Sequence, residues 1–440
     1  MSRTMKDSGI PWIGEIPEGW KVCRIKDVAM LYNGNSIKDE EKDNYTNPNN
    51  AYPYISTKDL DATYQSIDYC NGLFTSKGDS TFKIAHRDSC LMCIEGGSAG
   101  KKKAYVEHDV SFVNKLCCFA PYKIDGKYLF YYLCSPNFES EFYKYISGLI
   151  GGVSVSTLKN FMQLLPPLAE QHLIATFLDK KCSEIDSLIE LQEQMIEELK
   201  AYKQSVITEA VTKGIRNEEL GVRNYKDSGI EWIGDVPEEW EVCRIKNVAS
   251  LFGRIGFRGY TSDDLNKDGE GAITLSPSNM LPMGMDYTNV TYLSWMKYHE
   301  SPEIMIQNGD ILMVKTGSSY GKVSYVDNLP KEATINPQIL RIVAKINSKY
   351  LGYYLQTPLF IYQVERGVVG GTIPTISQEK INNFFVVIPP LAEQQAIADY
   401  LDKKCGEIDE LITIKQQKIE SLKEYKKSVI YEYVTGKKEP

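Results

Sequence analysis

Two stretches of this chain occur twice, so any fold for it must use each of them twice. Residues 5–32 read MKDSGIPWIGEIPEGWKVCRIKDVAMLY, and residues 225–252 read YKDSGIEWIGDVPEEWEVCRIKNVASLF. From Leu165, LPPLAEQHLIATFLDKKCSEIDSLIELQEQMIEELKAYKQSVI returns from Ile388 as IPPLAEQQAIADYLDKKCGEIDELITIKQQKIESLKEYKKSVI. The offsets are 220 and 223 residues. The stretches between them, about 33–164 and 253–387, resemble each other only faintly. A unit of this length is far longer than the repeats of solenoids. The pattern is that of a tandem duplication that kept its scaffold while its middle diverged.

Each PPLAEQ segment opens a long helix, because Pro167 and Pro390 suit a first turn where a missing N–H costs little. Some 45 residues follow without Gly or Pro in the first copy, and Gly406 alone interrupts the second. Such helices span roughly 65–70 Å at 1.5 Å per residue. Apolar residues recur at heptad spacing, which predicts a seam of Leu178, Ile185, Leu188, Met195 and Leu199 against Leu401, Ile408, Leu411, Leu422 and Tyr425. Ile189 and Ile196 lie alongside. The cheapest partner for each stripe is its own copy, so an antiparallel coiled coil with a pseudo-two-fold axis is expected. Mid-seam the pattern turns polar at Gln192, Lys415 and Lys418, either fixing the register or marking a solvated stretch.

The diverged middles carry short apolar runs such as Ser89–Ile94, Asp310–Val314 and Gln338–Ala344, broken by Gly, Pro, Asn and Asp. They read as strand-rich, with short helices opening at Tyr128 and Tyr350. The fold class is therefore mixed α+β: two strand-rich domains alternating with two long helices. The predicted boundaries are 1–164, 165–214 for the first helix, a linker at 215–224, 225–387, and 388–437 for the second helix.

Net charge is −8, with −4 falling in residues 165–224 and −1 in 388–440. Acidity of this kind excludes a protein coated in positive charge but leaves room for nucleic acid at local clusters of Lys and Arg. The start lacks an apolar leader and no run approaches a membrane span, so a cytosolic protein is expected, without a membrane partner and with mostly free thiols.

Cys90, Cys93, Cys117 and Cys118, with His86 and His108, look at first like a metal set. Aligning Asp88 with Asp310 and Asn114 with Asn336 sets Cys90 opposite Leu312, Cys93 opposite Lys315, and Cys117 and Cys118 opposite Ile339 and Leu340. Cysteines exchanged for Leu and Ile behave as small core hydrophobes, and no metal is expected. The loops Gly96–Lys101 and Gly317–Lys322 are too short between glycines for a nucleotide P-loop and lack its hydroxyl. They present backbone N–H groups beside lysines, suited to DNA phosphate, or else form tight hairpins with solvated lysines. No catalytic signature stands out, and no methyltransferase cofactor loop or tetrapeptide is present.

These residues resemble the specificity subunit of a type I restriction–modification system. The twice-used KDSGI-x-W-I-G-x-x-P-x-x-W opening, the twice-used PPLAEQ and the Gly309–Lys322 loop carry the resemblance across essentially the whole chain. The first copy of that loop departs from it, with Arg87-Asp88 and an extra glycine. The resemblance implies two target-recognition domains, each reading half of a split DNA site, separated by helices that act as a ruler. It implies that the helices dock two methyltransferase subunits, and through them the restriction (motor and nuclease) subunits. S-adenosylmethionine and ATP then belong to those partners, and this chain needs no cofactor of its own.

Base edges are read by Arg, Lys, Asn, Gln and hydroxyls. The expected DNA contacts are Ser56, Thr57, Lys58, Ser98, Lys101, Lys102 and Lys103 in the first domain. In the second they are Arg254, Arg258, Ser276, Ser278, Asn279, Ser318, Ser319, Tyr320 and Lys322. Two rivals remain: a duplicated adaptor that binds partners without reading DNA, and an enzyme with a dispersed site.

Overall fold

A computed structural model describes residues 3–10, 13–147, 151–215, 223–254, 256, 259–266, 269–368 and 374–440. Most of the expected linker, 215–224, lies outside them. The chain divides into two compact units, Met1–Gln194 with Lys415–Pro440, and Met195–Ile414. Each unit is one strand-rich domain with part of each long helix. Those helices run Leu168–Lys213 and Leu391–Val434. Among the described residues no helix is long and apolar enough to cross a membrane.

In the first unit an antiparallel sheet has the strand order Ala29–Asn33, Leu116–Pro121, Cys90–Cys93, Lys103–Tyr105. A second sheet sets Ala51–Ile55 parallel to Val110–Phe112, with Phe74–Ser76 and Ile84–Ala85 at its edges. The second unit repeats the first sheet as Ala249–Gly253, Ile339–Ala344, Ile311–Val314, Val323–Tyr325. Its other sheet is five-stranded, with Ala272–Leu275 parallel to Ala333–Ile335.

The repeated segments form the base on which each domain stands. Lys21–Arg24 pairs antiparallel with Met162–Leu165, and Glu241–Arg244 with Phe385–Ile388, which feeds the chain into PPLAEQ. The glutamate of that motif then receives the second tryptophan of the opening: Trp20 Nε1 donates to Glu170 at 3.0 Å and Trp240 Nε1 to Glu393 at 2.8 Å. Arg3 and Arg223 pair with the same carboxylates at 2.5 and 2.6 Å while lying over the tryptophan rings. The glutamine is buried. Gln171 accepts from the Asp125 N–H at 2.8 Å and donates to the Pro166 carbonyl at 2.8 Å; Gln394 does the same with Asn347 and Pro389 at 3.0 and 2.8 Å. A buried amide with both ends bonded is costly to replace, which gives the motif a structural reason to be kept twice.

Short helices at Gly126–Leu133 and Ser348–Tyr354 dock on this base. Asp125 and Asn347 cap them, accepting from Tyr128 N and Tyr350 N at 2.8 and 2.9 Å. The buried Tyr128 hydroxyl bonds the carbonyls of Leu164 and Val434, and that of Tyr350 bonds Val387 and Val211. Asp179 of the first long helix holds Lys127 and Tyr131; Asp402 of the second holds Lys349 and Tyr353.

Within each unit the long helices pack together antiparallel. In the first, Ile174 and Leu178 share a core with Val429, Ile430 and Val434, and Phe177 stacks on Tyr433 at 4.3 Å. In the second, Ile207, Ala210 and Val211 share one with Ile397, Leu401 and Cys405. The seam differs from the expected one in its second row. Leu178, Ile185, Leu401 and Ile408 are buried, Leu199 and Leu422 half-buried. Leu188, Met195, Leu411 and Tyr425 are exposed, at 46%, 37%, 48% and 54%. The first helix buries Cys182, Ile189 and Ile196 instead, and the second buries Cys405, Ile419 and Lys426. The polar break is bonded: Gln192 is buried and accepts from Lys415 Nζ at 3.5 Å. Lys418 is exposed.

Strand register also corrects the alignment of the cysteines by one residue. Cys90 pairs with Tyr105 and Phe119 as Ile311 pairs with Tyr325 and Ile342. Cys90 therefore corresponds to Ile311, Cys93 to Val314, Cys117 to Leu340, and Cys118 to Arg341. All four cysteines lie in buried strand positions, and burial pushes the Cys118 thiol up to about 11. The Cys118 change is coupled: Ser89, its hydrogen-bonding neighbour, corresponds to Asp310, which pairs with Arg341 at 2.7 Å. A neutral pair in one domain is an ion pair in the other.

Candidate nucleic-acid interface

In each domain three turns meet at one edge, where strands of both sheets end. The first follows Ala51–Ile55, or Ala272–Leu275 in the second domain. Ser56 N and Oγ donate to Asp59 Oδ2 at 2.8 and 2.6 Å, and Ser276 N and Oγ donate to Asn279 Oδ1 at 3.0 and 2.9 Å. Serine followed three residues on by a carboxylate or amide closes the turn from both sides. The second is the Gly-rich hairpin. Gly96, Gly100, Gly317 and Gly321 all have positive φ, between 74° and 102°, the region that side-chain-bearing residues avoid. The third is the turn at Asn114–Lys115, or Asn336–Gln338. It binds the hairpin base through Ile94 N to Lys115 O at 3.0 Å and Lys315 N to Gln338 O at 2.8 Å.

Part of each hairpin's backbone is closed within its own domain. Gly96, Ala99, Gly100 and Lys101 N–H groups bond Gly151, Gly96, Cys93 and Ser98 carbonyls; those of Gly317, Tyr320, Gly321 and Lys322 bond Pro374, Gly317, Val314 and Ser319. On this frame the loops also present side chains. Lys58, Lys101, Ser278, Ser318, Ser319 and Lys322 are exposed, and Ser56, Thr57, Ser98, Lys102, Ser276 and Tyr320 are half-buried. Lys115 and Gln338 are exposed at the same edge. They were missed in the sequence; the signal was a polar turn between two strand-like runs in both copies.

Three of the expected contacts face inward. Lys103 is 1% exposed; its ammonium pairs with Glu139 at 2.6 Å and donates to the Leu133 carbonyl at 2.9 Å. It sits at the strand position that Val323 fills in the second domain, so its inward direction follows from the pleat. Arg254 is buried, donates to the Ile335 carbonyl and to Thr334 Oγ1 at 3.0 Å, and lies over Tyr260. Asn279 is buried and donates to the Asp286 and Asn289 carbonyls at 3.2 and 2.9 Å. These three build the frame. Arg258 lies outside the described residues.

This duplicated pair of loop-bearing domains on paired long helices defines a class. The model of the type I restriction modification DNA specificity domain matches residues 17–201 and again 237–436. The chain belongs to that family: it is a type I specificity subunit with two target-recognition domains, the non-catalytic member of its restriction–modification complex. Similar proteins include the MjaVIII specificity subunit of Methanocaldococcus jannaschii, 27% identical over 96% of this chain and 93% of that protein. Another is the EcoBI specificity subunit of Escherichia coli, 23% identical over 90% of this chain and 81% of that one. The fold is shared with a chain solved under "Structural basis underlying complex assembly and conformational transition of the type I R-M system" (TM-score 0.71, 16% identity, covering 96% and 99% of the two chains).

Proposed function

We propose that the chain reads a bipartite site in duplex DNA, one half through each three-turn edge, as the sequence-reading subunit of a cytosolic complex. The readers are 1–164 and 225–387; the helices 165–214 and 388–437 space them and dock two methyltransferase subunits. Those subunits carry S-adenosylmethionine, and restriction subunits carrying ATP join through them. The observation that supports this reading is the duplicated edge itself. The three turns recur in both domains and are tied in the same way, whereas the side chains on them differ: Thr57-Lys58 against Pro277-Ser278, Lys115 against Gln338. A stiff frame with exchangeable hydrogen-bonding side chains is what direct readout of base edges requires.

The docking role is supported by the apolar row that turns away from the seam. Leu188 and Leu191 on the first helix are exposed, as are Leu411 and Ile414 at the equivalent places on the second. Tyr202 and Tyr425 correspond in the same way and are exposed. An apolar face kept in both copies without covering its own seam suits a partner helix. Footprinting on random-sequence duplexes, with the chain assembled with its methyltransferase partner, tests the whole reading. Two protected patches about one helical turn apart are expected; no protection by the complex overturns it and leaves the adaptor.

A further inference from the structure

We propose that Lys102 and Lys322 are positioning residues: each braces its Gly-rich hairpin against the neighbouring serine-capped turn, so that the two reading loops of a half-site move as one body. The inference rests on the DNA-reading function proposed above and assigns these lysines a different role from the phosphate contact that a lysine beside a glycine loop invites.

Lys102 Nζ donates to the Thr57 carbonyl at 2.9 Å, and Lys322 Nζ donates to the Pro277 carbonyl at 3.1 Å. Both carbonyls belong to the residue directly after the capping serine. The two bonds lie in stretches of the chain that have otherwise diverged, so the pairing is kept while its surroundings differ. The hairpin even differs in length. Cys93 N bonds Lys102 O as Val314 N bonds Lys322 O, while Gly100 N bonds Cys93 O as Gly321 N bonds Val314 O. Lys101 is therefore an inserted residue with no counterpart, although its place in the written motif matches Lys322. The brace therefore stands at the corresponding lysine in both domains despite the insertion beside it. An ammonium on a carbonyl is a charge-assisted bond, and it joins two elements that are otherwise internally closed: the turn by its own cap, the hairpin by its own glycines. Without the brace each loop keeps its shape but not its distance from the other.

Positioning and phosphate contact predict different readouts. A phosphate contact contributes uniformly to all sequences and removes about one from the slope of log affinity against log salt when lost. A brace leaves that slope unchanged and loosens discrimination in one half-site only. The test uses the assembled methyltransferase complex and duplexes carrying its methylated motif or single-base changes in either half. Lys102→Met is expected to reduce discrimination against changes in one half about tenfold, a size in keeping with one base contact. Lys322→Met should do so in the other half, both with the wild-type salt slope. Lys102→Arg, which keeps a donor, should retain discrimination within about threefold. A slope lowered by about one with both halves still discriminated overturns the proposal, as does no change in either quantity. Should Lys102→Met fail to assemble, Lys322→Met carries the same test in the other domain. If the wild-type complex itself discriminates nothing, the DNA-reading function fails rather than the brace.

Discussion

Lys426 on the second long helix holds Asp186 on the first with Nζ 2.8 Å from both carboxylate oxygens. The residues that correspond to them by the duplication, Lys203 and Asp409, form the same pair at 2.7 Å with the helices exchanged. Each unit thus carries one bridge in which the lysine comes from one copy of the repeat and the aspartate from the other. The repeat packs on itself antiparallel, and its charge pattern suits that direction.

The two bridges differ in burial, and their energies should differ accordingly. Side-chain exposures are 10% and 23% for Lys426 and Asp186, but 20% and 57% for Lys203 and Asp409. Asp186→Asn leaves a buried ammonium uncompensated and should lower stability by about 2–3 kcal/mol. Asp409→Asn should cost less than about 1 kcal/mol. Urea unfolding midpoints measure both, and equal effects would contradict the assignment.

Lys103 should behave as a core residue. Lys103→Ala removes the partner of Glu139 and of the Leu133 carbonyl and should destabilise the chain by about 2–4 kcal/mol. The salt slope of DNA binding by the folded variant should stay at its wild-type value. A slope reduced by about one would place Lys103 on phosphate after all.

The cysteines should separate by burial. Cys70 is exposed, whereas burial pushes the Cys118, Cys134 and Cys405 thiols up to about 11. A thiolate-specific disulfide reagent at pH 8 should modify Cys70 at least about a hundredfold faster than Cys118, since the thiolate is the reacting form. Mass spectrometry after timed quenching reports the order, and early labelling of Cys117 or Cys118 would show that the strand carrying them is not closed.

If the helices are a ruler, adding one heptad to both should lengthen them by about 10 Å. That is about three base pairs at 3.4 Å each. Sequencing the methylated motif should then show the same half-sites with a wider gap. Changed half-sites with an unchanged gap would remove the spacer role.

Most of the architecture was legible because the duplication served as an internal control. It marked the long helices, demoted the cysteines and showed which loops recur. What it missed has physical causes. Heptad spacing points to Leu188 and Met195 for the second seam row because the inward row contains Cys182 at one heptad position and Lys203 at another, and an ion-paired lysine does not look like a seam residue. The alignment slipped by one at Cys90 because register is set by strand hydrogen bonds, and a matching Asp88 and Asp310 concealed the shift. Lys103, Arg254 and Asn279 carry base-reading chemistry, but strand pleat and turn closure point them inward, which composition does not reveal. Lys115 and Gln338 carry only a weak signal, a polar turn between two strand-like runs in both copies.

The central claim is that each strand-rich domain reads its own half of the site. Replacing residues 253–387 with the corresponding stretch of another specificity subunit, and determining the methylated motif by single-molecule sequencing of host DNA, tests it most directly. One half of the motif should be retained and the other replaced by a half belonging to the donor, with the gap unchanged. A motif changed in both halves, or in neither, would contradict the account.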